Sequence, residues 1–255
     1  MSLPPLTSHG ERIDDLVIGG LQIIQHPEEF CFTLDAVLLA HFASVAPGVK
    51  AVDLGTGTGA VALLLAARGA KVIGIELNPR SADMATRSVK LNQLESTVSI
   101  VCHDLKLVRE ILPSGEFPLV VANPPYRVPG PGLLNPKDTV AAARHELTAN
   151  LADVIAAARY LVKYRGRFAL VHLPERMAEI LKAMTDAGLE PKRLRLVYPY
   201  QDKKPKFLLV EGIRGARPGL EVLPPLFVYS APGEYSQEIR EYYQADLDNG
   251  NDGAR

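Results

Sequence analysis

Asn123-Pro124-Pro125-Tyr126 sets a carboxamide, two ring-locked backbone positions and an aromatic face in four consecutive residues. Each proline fixes its own φ and restrains the residue before it, so the run predicts a stiff turn whose carbonyls point in set directions. The Asn123 side-chain oxygen and the Pro124 carbonyl can together accept both hydrogens of an NH2 group. A planar amine is a poor nucleophile because its lone pair is delocalised, and acceptors that favour a pyramidal nitrogen act mainly in the transition state. Tyr126 offers a face to a planar acceptor, worth about 1–3 kcal/mol for a stacked base. The run therefore predicts group transfer to a planar nitrogen, and a flipped base suits it. Taken alone, it also fits an ordinary proline turn with a packed tyrosine.

A second run, Asp53-Leu54-Gly55-Thr56-Gly57-Thr58-Gly59, ends an apolar stretch and opens a helical one. Glycines remove the Cβ atoms that keep a ligand from the main chain. The spacing is Gly-x-Gly-x-Gly, whereas the dinucleotide fingerprint is Gly-x-Gly-x-x-Gly, and the acidic Asp53 suits a cation better than a pyrophosphate. S-adenosylmethionine, with an ammonium, a sulfonium and no phosphate, fits that chemistry better than NAD. Glu76 closes the next strand, where an acidic side chain accepts the hydroxyls of a ribose. Asp104 follows the third strand and either accepts from the amino group of the donor's adenine or caps the helix after it.

These residues need a frame that brings them to one edge. Residues 49–54, 71–76, 98–102 and 119–122 read as strands, alternating with helices at 59–67 and 79–92 and a short one at 105–112. That is the pattern of βαβ units and a parallel sheet, whose ligands bind beyond the carboxyl ends of the strands. Helices at 147–162 and 175–187 and strands at 168–173, 194–198 and 207–213 follow, the last two as an antiparallel closing pair. Ahead of this core, residues 16–18 and 21–24 flank Gly19-Gly20 as a hairpin, and an apolar helix spans about 35–43. The expected architecture is α/β: a Rossmann-like, seven-stranded, mostly parallel sheet with an antiparallel closing strand, plus an amino-terminal hairpin and helix. Residues 1–47 form the extension, 48–246 the main domain and 247–255 a polar tail. Gly130 and Gly132 make the loop after the proline turn a candidate lid.

With these motifs in place, the sequence resembles the class I methyltransferases that carry Asn-Pro-Pro-Tyr, and among them the bacterial tRNA1(Val) adenine-N6 methyltransferase-like family. The likeness runs over most of the chain and is carried by residues 32–40, 53–59, 123–126, Ala143-Arg144-His145-Glu146 and Tyr235-Ser236-Gln237-Glu238. It implies methylation of an adenosine beside the anticodon of a valine tRNA. Asn123, Pro124, Pro125 and Tyr126 would serve the amine, with Asn123 also bordering the donor. Gly55, Thr56, Gly57, Gly59, Asp53, Glu76 and Asp104 would hold the donor, and Thr33 and Asp35 would lie near its methionine end. The motif is shared with protein glutamine N5-methyltransferases and rRNA guanine N2-methyltransferases, which stay open as alternatives, as does a methyltransferase-like RNA-binding module without turnover.

The charge is nearly balanced, with 28 Lys plus Arg against 29 Asp plus Glu, so a nucleic-acid surface must be local. Lys192, Arg193, Arg195, Lys203, Lys204 and Lys206, interleaved with Tyr198 and Tyr200, either track an RNA backbone or protect a sheet edge. Arg159, Lys163, Arg165 and Arg167 read as charge at the end of a helix. Arg144 and His145 belong either to the acceptor pocket or to the charged start of that helix. Six scattered histidines and two distant cysteines form no metal-ligand spacing, so no metal is expected. With neither a signal peptide nor a membrane-length apolar run in the sequence, a cytoplasmic enzyme acting on RNA is the expectation.

Overall fold

The computed structural model describes residues 7–16, 18–29, 31–126 and 149–244. It opens with a hairpin of β1 (Arg12–Asp15) and β2 (Gln22–Gln25). Gly19 and Gly20 both take positive φ, 59° and 66°, which a non-glycine residue resists. The strands lie farther out from the turn than expected, and Leu16 and Ile18 are buried beside it. The hairpin docks on α3 (Pro79–Leu91) through side chains standing in for a strand: Ile24 N–H donates to Ser88 Oγ at 2.9 Å, and Asn92 exchanges hydrogen bonds with the Gln22 backbone at 2.8 and 2.6 Å. Glu11 adds a forked ion pair with Arg87 at 2.6 and 2.8 Å.

After α1 (Leu34–Phe42) come β3 (Lys50–Leu54), α2 (Ala60–Ala67), β4 (Lys71–Glu76), α3, β5 (Val98–Cys102), a 3-10 turn at Leu105–Glu110 and β6 (Phe117–Ala122). The second half holds α4 (Leu151–Leu161), β7 (Val162–His172), α5 (Met177–Asp186), β8 (Leu189–Tyr198), β9 (Phe207–Arg214) and the short β10 (Glu221–Val222) and β11 (Leu226–Phe227). A hairpin of β12 (Tyr229–Ala231) and β13 (Glu234–Tyr235) leads to α6 (Gln237–Gln244). The seven expected strands are all present in one mixed sheet, ordered β8-β9-β7-β6-β3-β4-β5, and β10 and β11 extend it by pairing with β8. β9 is the antiparallel strand, but it lies between β7 and β8 rather than at the edge. Consequently β8 runs in the same direction as β7, and its carboxyl end emerges on the same rim.

Side chains alternate between the two faces, as strand geometry requires. Ala51, Leu119, Val121 and Leu209 meet α1 and α2 on one side, whereas Val52, Leu54, Val120 and Phe168 meet α4 and α5 on the other. The helix expected over 147–162 gives way to strand at Val162; its first described turn is closed by a capping box in which Asn150 and Asp153 exchange 3.0 Å hydrogen bonds. This corrects the reading of the second basic group. Only Arg159 lies in the last turn of α4, while Lys163, Arg165 and Arg167 belong to β7. Among the described residues no helix is long and apolar enough to cross a membrane.

Glu211 on β9 is fully buried. Ser44 donates to it from its backbone and its hydroxyl, both at 2.8 Å, Arg167 donates at 2.8 Å, and Arg193 lies 3.4 Å away. A buried charge persists only when it is paired and hydrogen-bonded, and this one ties the end of α1 to three strands. Arg193 also reaches Ser44 Oγ at 3.0 Å and lies over the Phe42 ring at 4.8 Å. Glu211→Ala is expected to lower unfolding stability in urea by about 2–4 kcal/mol, toward the low end for a broken buried pair because both guanidiniums keep access to water.

Candidate active site

β3 carries Asp53 to the rim and α2 departs after the glycine loop. Gly55, Gly57 and Gly59 have φ of 72°, 58° and 95°. Their roles differ. A Cβ at Gly59 would lie 3.3 Å from the Cβ of Ala85, so this glycine lets α2 and α3 approach closely, whereas a Cβ at Gly55 or Gly57 would enter open space. Those two leave a bare main-chain shelf on which a ligand can lie. Gly74 on β4 makes room beneath: a Cβ there would sit 2.9 Å from the Thr56 side chain, whose hydroxyl donates to Asp53 Oδ2 at 2.6 Å.

Asp53 is 1% exposed, and its Oδ1 has no hydrogen-bond partner among the described residues. Burial pushes its carboxyl up to about 7, against the lowering effects of the Thr56 hydroxyl and the Ala62 backbone N–H and with a further push from the Glu76 charge. Glu76 bridges the loop to α3, accepting from Gly57 N–H and from Asn78 N–H, each at 2.8 Å. Each of its oxygens retains a lone pair. The side chain of Asp104 caps the 3-10 turn by accepting from Lys106 N–H at 2.9 Å and pairs with Lys106 Nζ at 3.4 Å. The cap uses Oδ1 alone, and the residue sits beside Glu76 at the rim, where His103 N–H donates to the Glu76 carbonyl.

Leu54 and Ala122 face each other in the parallel β3–β6 ladder, so Gly55 and Asn123 leave the sheet side by side. Pro124 is buried, Pro125 exposed, and Asn123 and Tyr126 half-buried. The Tyr126 hydroxyl meets Asp35 Oδ2 and lies 2.9 Å from Asn123 Oδ1. A phenol has one proton, so the Tyr126 hydroxyl donates it between Asp35 Oδ2 and Asn123 Oδ1; an amide oxygen has two lone pairs, so Asn123 Oδ1 can accept one further bond. Asp35, 1% exposed in the first turn of α1, accepts on its other oxygen from the Thr33 hydroxyl and from Ala36 N–H. Burial, reinforced by the Asp35 charge, holds the Tyr126 hydroxyl well above the usual phenol range. Thr33 and Asp35 therefore lock the proline turn from below.

Sequence reasoning missed two neighbours of Tyr126. The His172 ring meets it edge-on at 5.3 Å and the Phe207 ring lies 6.1 Å away. Both were findable in principle, since His172 ends β7, the strand next to β6, and Phe207 opens β9 beside it. Burial, with help from the Arg176 charge, pushes His172 down to about 4, which keeps it neutral, and its Nδ1 accepts from Leu173 N–H at 2.7 Å. The first basic group divides. Arg193 serves Glu211, and Arg195 forks onto Glu238 of α6 at 2.5 and 2.8 Å; both are internal anchors. Lys203, Lys204 and Lys206 are exposed at the rim, Lys203 pairing with Asp202 at 3.2 Å and Lys206 lying over the Phe207 ring at 5.7 Å. Arg144, His145, the 128–136 lid and the tail from 247 lie outside the described residues. No three His, Cys, Asp or Glu side chains among the described residues are grouped to hold a metal ion.

Comparison with known proteins identifies the family. The methyltransferase small domain family matches residues 22–175. The tRNA1(Val) (adenine(37)-N6)-methyltransferase of Porphyromonas gingivalis is 31% identical over 215 residues, covering 80% of this chain and 83% of the relative. Its counterpart in Bacteroides fragilis is 29% identical over 213 residues, covering 82% and 89%. Among solved structures, a predicted O-methyltransferase from Agrobacterium tumefaciens shares the fold with a TM-score of 0.66 at 24% identity, covering 83% of this chain and 96% of that one. With a bare glycine shelf and a proline-locked turn on one rim, and a family match across both, the chain belongs to the methyltransferase small domain family and is an S-adenosylmethionine-dependent N-methyltransferase.

Proposed function

We propose that the protein methylates the exocyclic N6 amine of an adenine in tRNA, with the donor seated on the 53–59 loop and the amine gripped by residues 123–126. The reading rests on one observation above all: Gly55 and Asn123 leave adjacent parallel strands at the same level, about 5 Å apart in the hydrogen-bonding direction. The names of the relatives support adenine in tRNA as the acceptor. The loop fits the donor on its own chemistry, through the shelf at Gly55 and Gly57 and the buried Asp53 carboxylate beneath it, whose charge favours a cationic ligand. Glu76 would take the ribose hydroxyls on its remaining lone pairs, and Asp104 Oδ2 the amino group of the donor's adenine.

When bound, S-adenosylmethionine supplies an electrophilic methyl group on its sulfonium. Asn123 Oδ1 and the Pro124 carbonyl accept the two amine hydrogens, drawing the nitrogen toward pyramidal geometry and stabilising the positive charge that develops on it. The Tyr126 bond to Asp35 fixes the turn, so no reorganisation accompanies that charge. Asp35 is not a general base, because both its oxygens are engaged; the nitrogen proton leaves to solvent. His172, neutral and against the Tyr126 edge, packs the turn from the β7 side. Lys203, Lys204 and Lys206 would meet phosphates.

Incubation with labelled donor and, separately, total tRNA, rRNA and a release factor should put label into tRNA; label in rRNA or in the release factor would replace adenine in tRNA as the acceptor. Asn123→Ala should cut kcat by about 10²–10³, the usual loss for one transition-state partner, while donor affinity by calorimetry changes less than about threefold. Wild-type turnover by this variant would remove the turn from the chemistry. A second expectation concerns pH. Because the folded Asp53 carboxyl titrates near 7, above its ordinary 3.8, the donor-free protein binds more protons than the unfolded chain and loses stability as pH rises between those values. Asp53→Asn should abolish that slope, raise stability at pH 8 by about 1–3 kcal/mol, and erase the rise in donor affinity between pH 6 and 8 expected of the native protein.

A further inference from the structure

The β12–β13 hairpin stands off the main sheet and carries two tyrosines into a ring column. Tyr200, Tyr229, Tyr235 and Tyr243 follow one another with centroids 5.2, 5.3 and 5.6 Å apart. Tyr200 and Tyr229, together with Phe227, line an open groove of about 680 Å³ with Lys203 on its lip. The methyl-transfer chemistry uses none of these rings. Their position is informative, however, because β8 runs parallel to β7 and its carboxyl end reaches the rim that holds Asn123. Tyr229 N–H donates to the Pro199 carbonyl at 3.0 Å, which fixes the column at the end of β8. From β6 across β7 and β9 to β8 and β11 is three to four strand spacings, roughly 14–19 Å. Phe207 lies between, touching Tyr126 on one side and Lys206 on the other.

We propose that this groove binds an unpaired stretch of the RNA substrate a few nucleotides from the methylated one, with a base against the Tyr200 and Tyr229 rings and a phosphate on Lys203. The inference rests on the RNA reading above and adds where the strand runs. Each base has a π-face, so an aromatic groove flanked by lysines holds single strands without reading their sequence. The rings are already packed against one another, so little side-chain freedom is lost on binding. Lys203, Lys204 and Lys206 stand at the same loop and complement phosphate, and Asp202 is paired with Lys203.

The test is fluorescence anisotropy with a labelled, unpaired oligoadenylate, run on the full chain beside melting curves and the labelling assay with total tRNA. Tyr200→Ala should weaken oligonucleotide binding between about five- and a hundred-fold, the range for one lost base–aromatic stack, and leave the slope of affinity against salt intact, because stacking releases no counterions. Tyr200→Phe should bind within about twofold of the native protein, since the ring is kept. Lys203→Glu should instead flatten the salt slope. Native binding by Tyr200→Ala, or equal loss in Tyr200→Phe and Tyr200→Ala, would overturn the groove assignment while label in tRNA still upheld the acceptor. Label entering a protein rather than RNA, with no oligonucleotide bound, would overturn both.

Discussion

One parallel ladder organises the molecule. β3 and β6 pair in register up to Leu54 and Ala122, and the next residue on each strand opens a loop of the candidate site. Parallel neighbours deliver their carboxyl ends to the same edge, and the crossovers between them return on the faces of the sheet, leaving that edge free of helix. The glycine shelf and the proline turn are adjacent because two strands are adjacent. A shift of one residue in this register would send Asp53 to the opposite face and part the loop from the turn.

Among the described residues three buried acidic residues, Asp35, Asp53 and Glu211, are each handled differently. Glu211 is neutralised by two arginines and two Ser44 donors and acts as a tie between layers. Asp35 is satisfied by a threonine, a helix N–H and a tyrosine, and so stiffens the turn that it touches. Asp53 receives a threonine hydroxyl and the lowering influence of the Ala62 backbone, and its Oδ1 has no hydrogen bond of regular geometry among the described residues. A buried acceptor without a partner is costly. Only at the third is that cost retained, and it is retained at the loop whose main chain lies bare.

Much of this was legible in the sequence because the chemistry demands particular local residues. Glycines with positive φ and paired prolines announce backbone conformations that other residues resist, and alternation of apolar runs with helical spacing announced the sheet. What stayed hidden depends on contacts across long separations. Tyr126 and Asp35 are 91 residues apart, and Ser44 and Glu211 are 167 apart; neither pairing leaves a trace in spacing. Arg193 and Arg195 look the same in the sequence as Lys203 and Lys204, yet the arginines are internal anchors and the lysines face water. Strands as short as β10 and β11 have no period to read.

The reversed strand β9 has a consequence of its own. In an all-parallel sheet, leaving the reactive edge commits the chain to a long crossover before it can return. Here residues 199–206 turn back directly, so the edge is served by a simple bend between two antiparallel neighbours. Such a bend tolerates insertion and recomposition at small entropic cost, with neither a ladder nor a covering helix disturbed. The fold thereby separates what must stay constant, the register of the parallel strands beneath the glycine loop, from a border that lineages can redraw to suit a different acceptor.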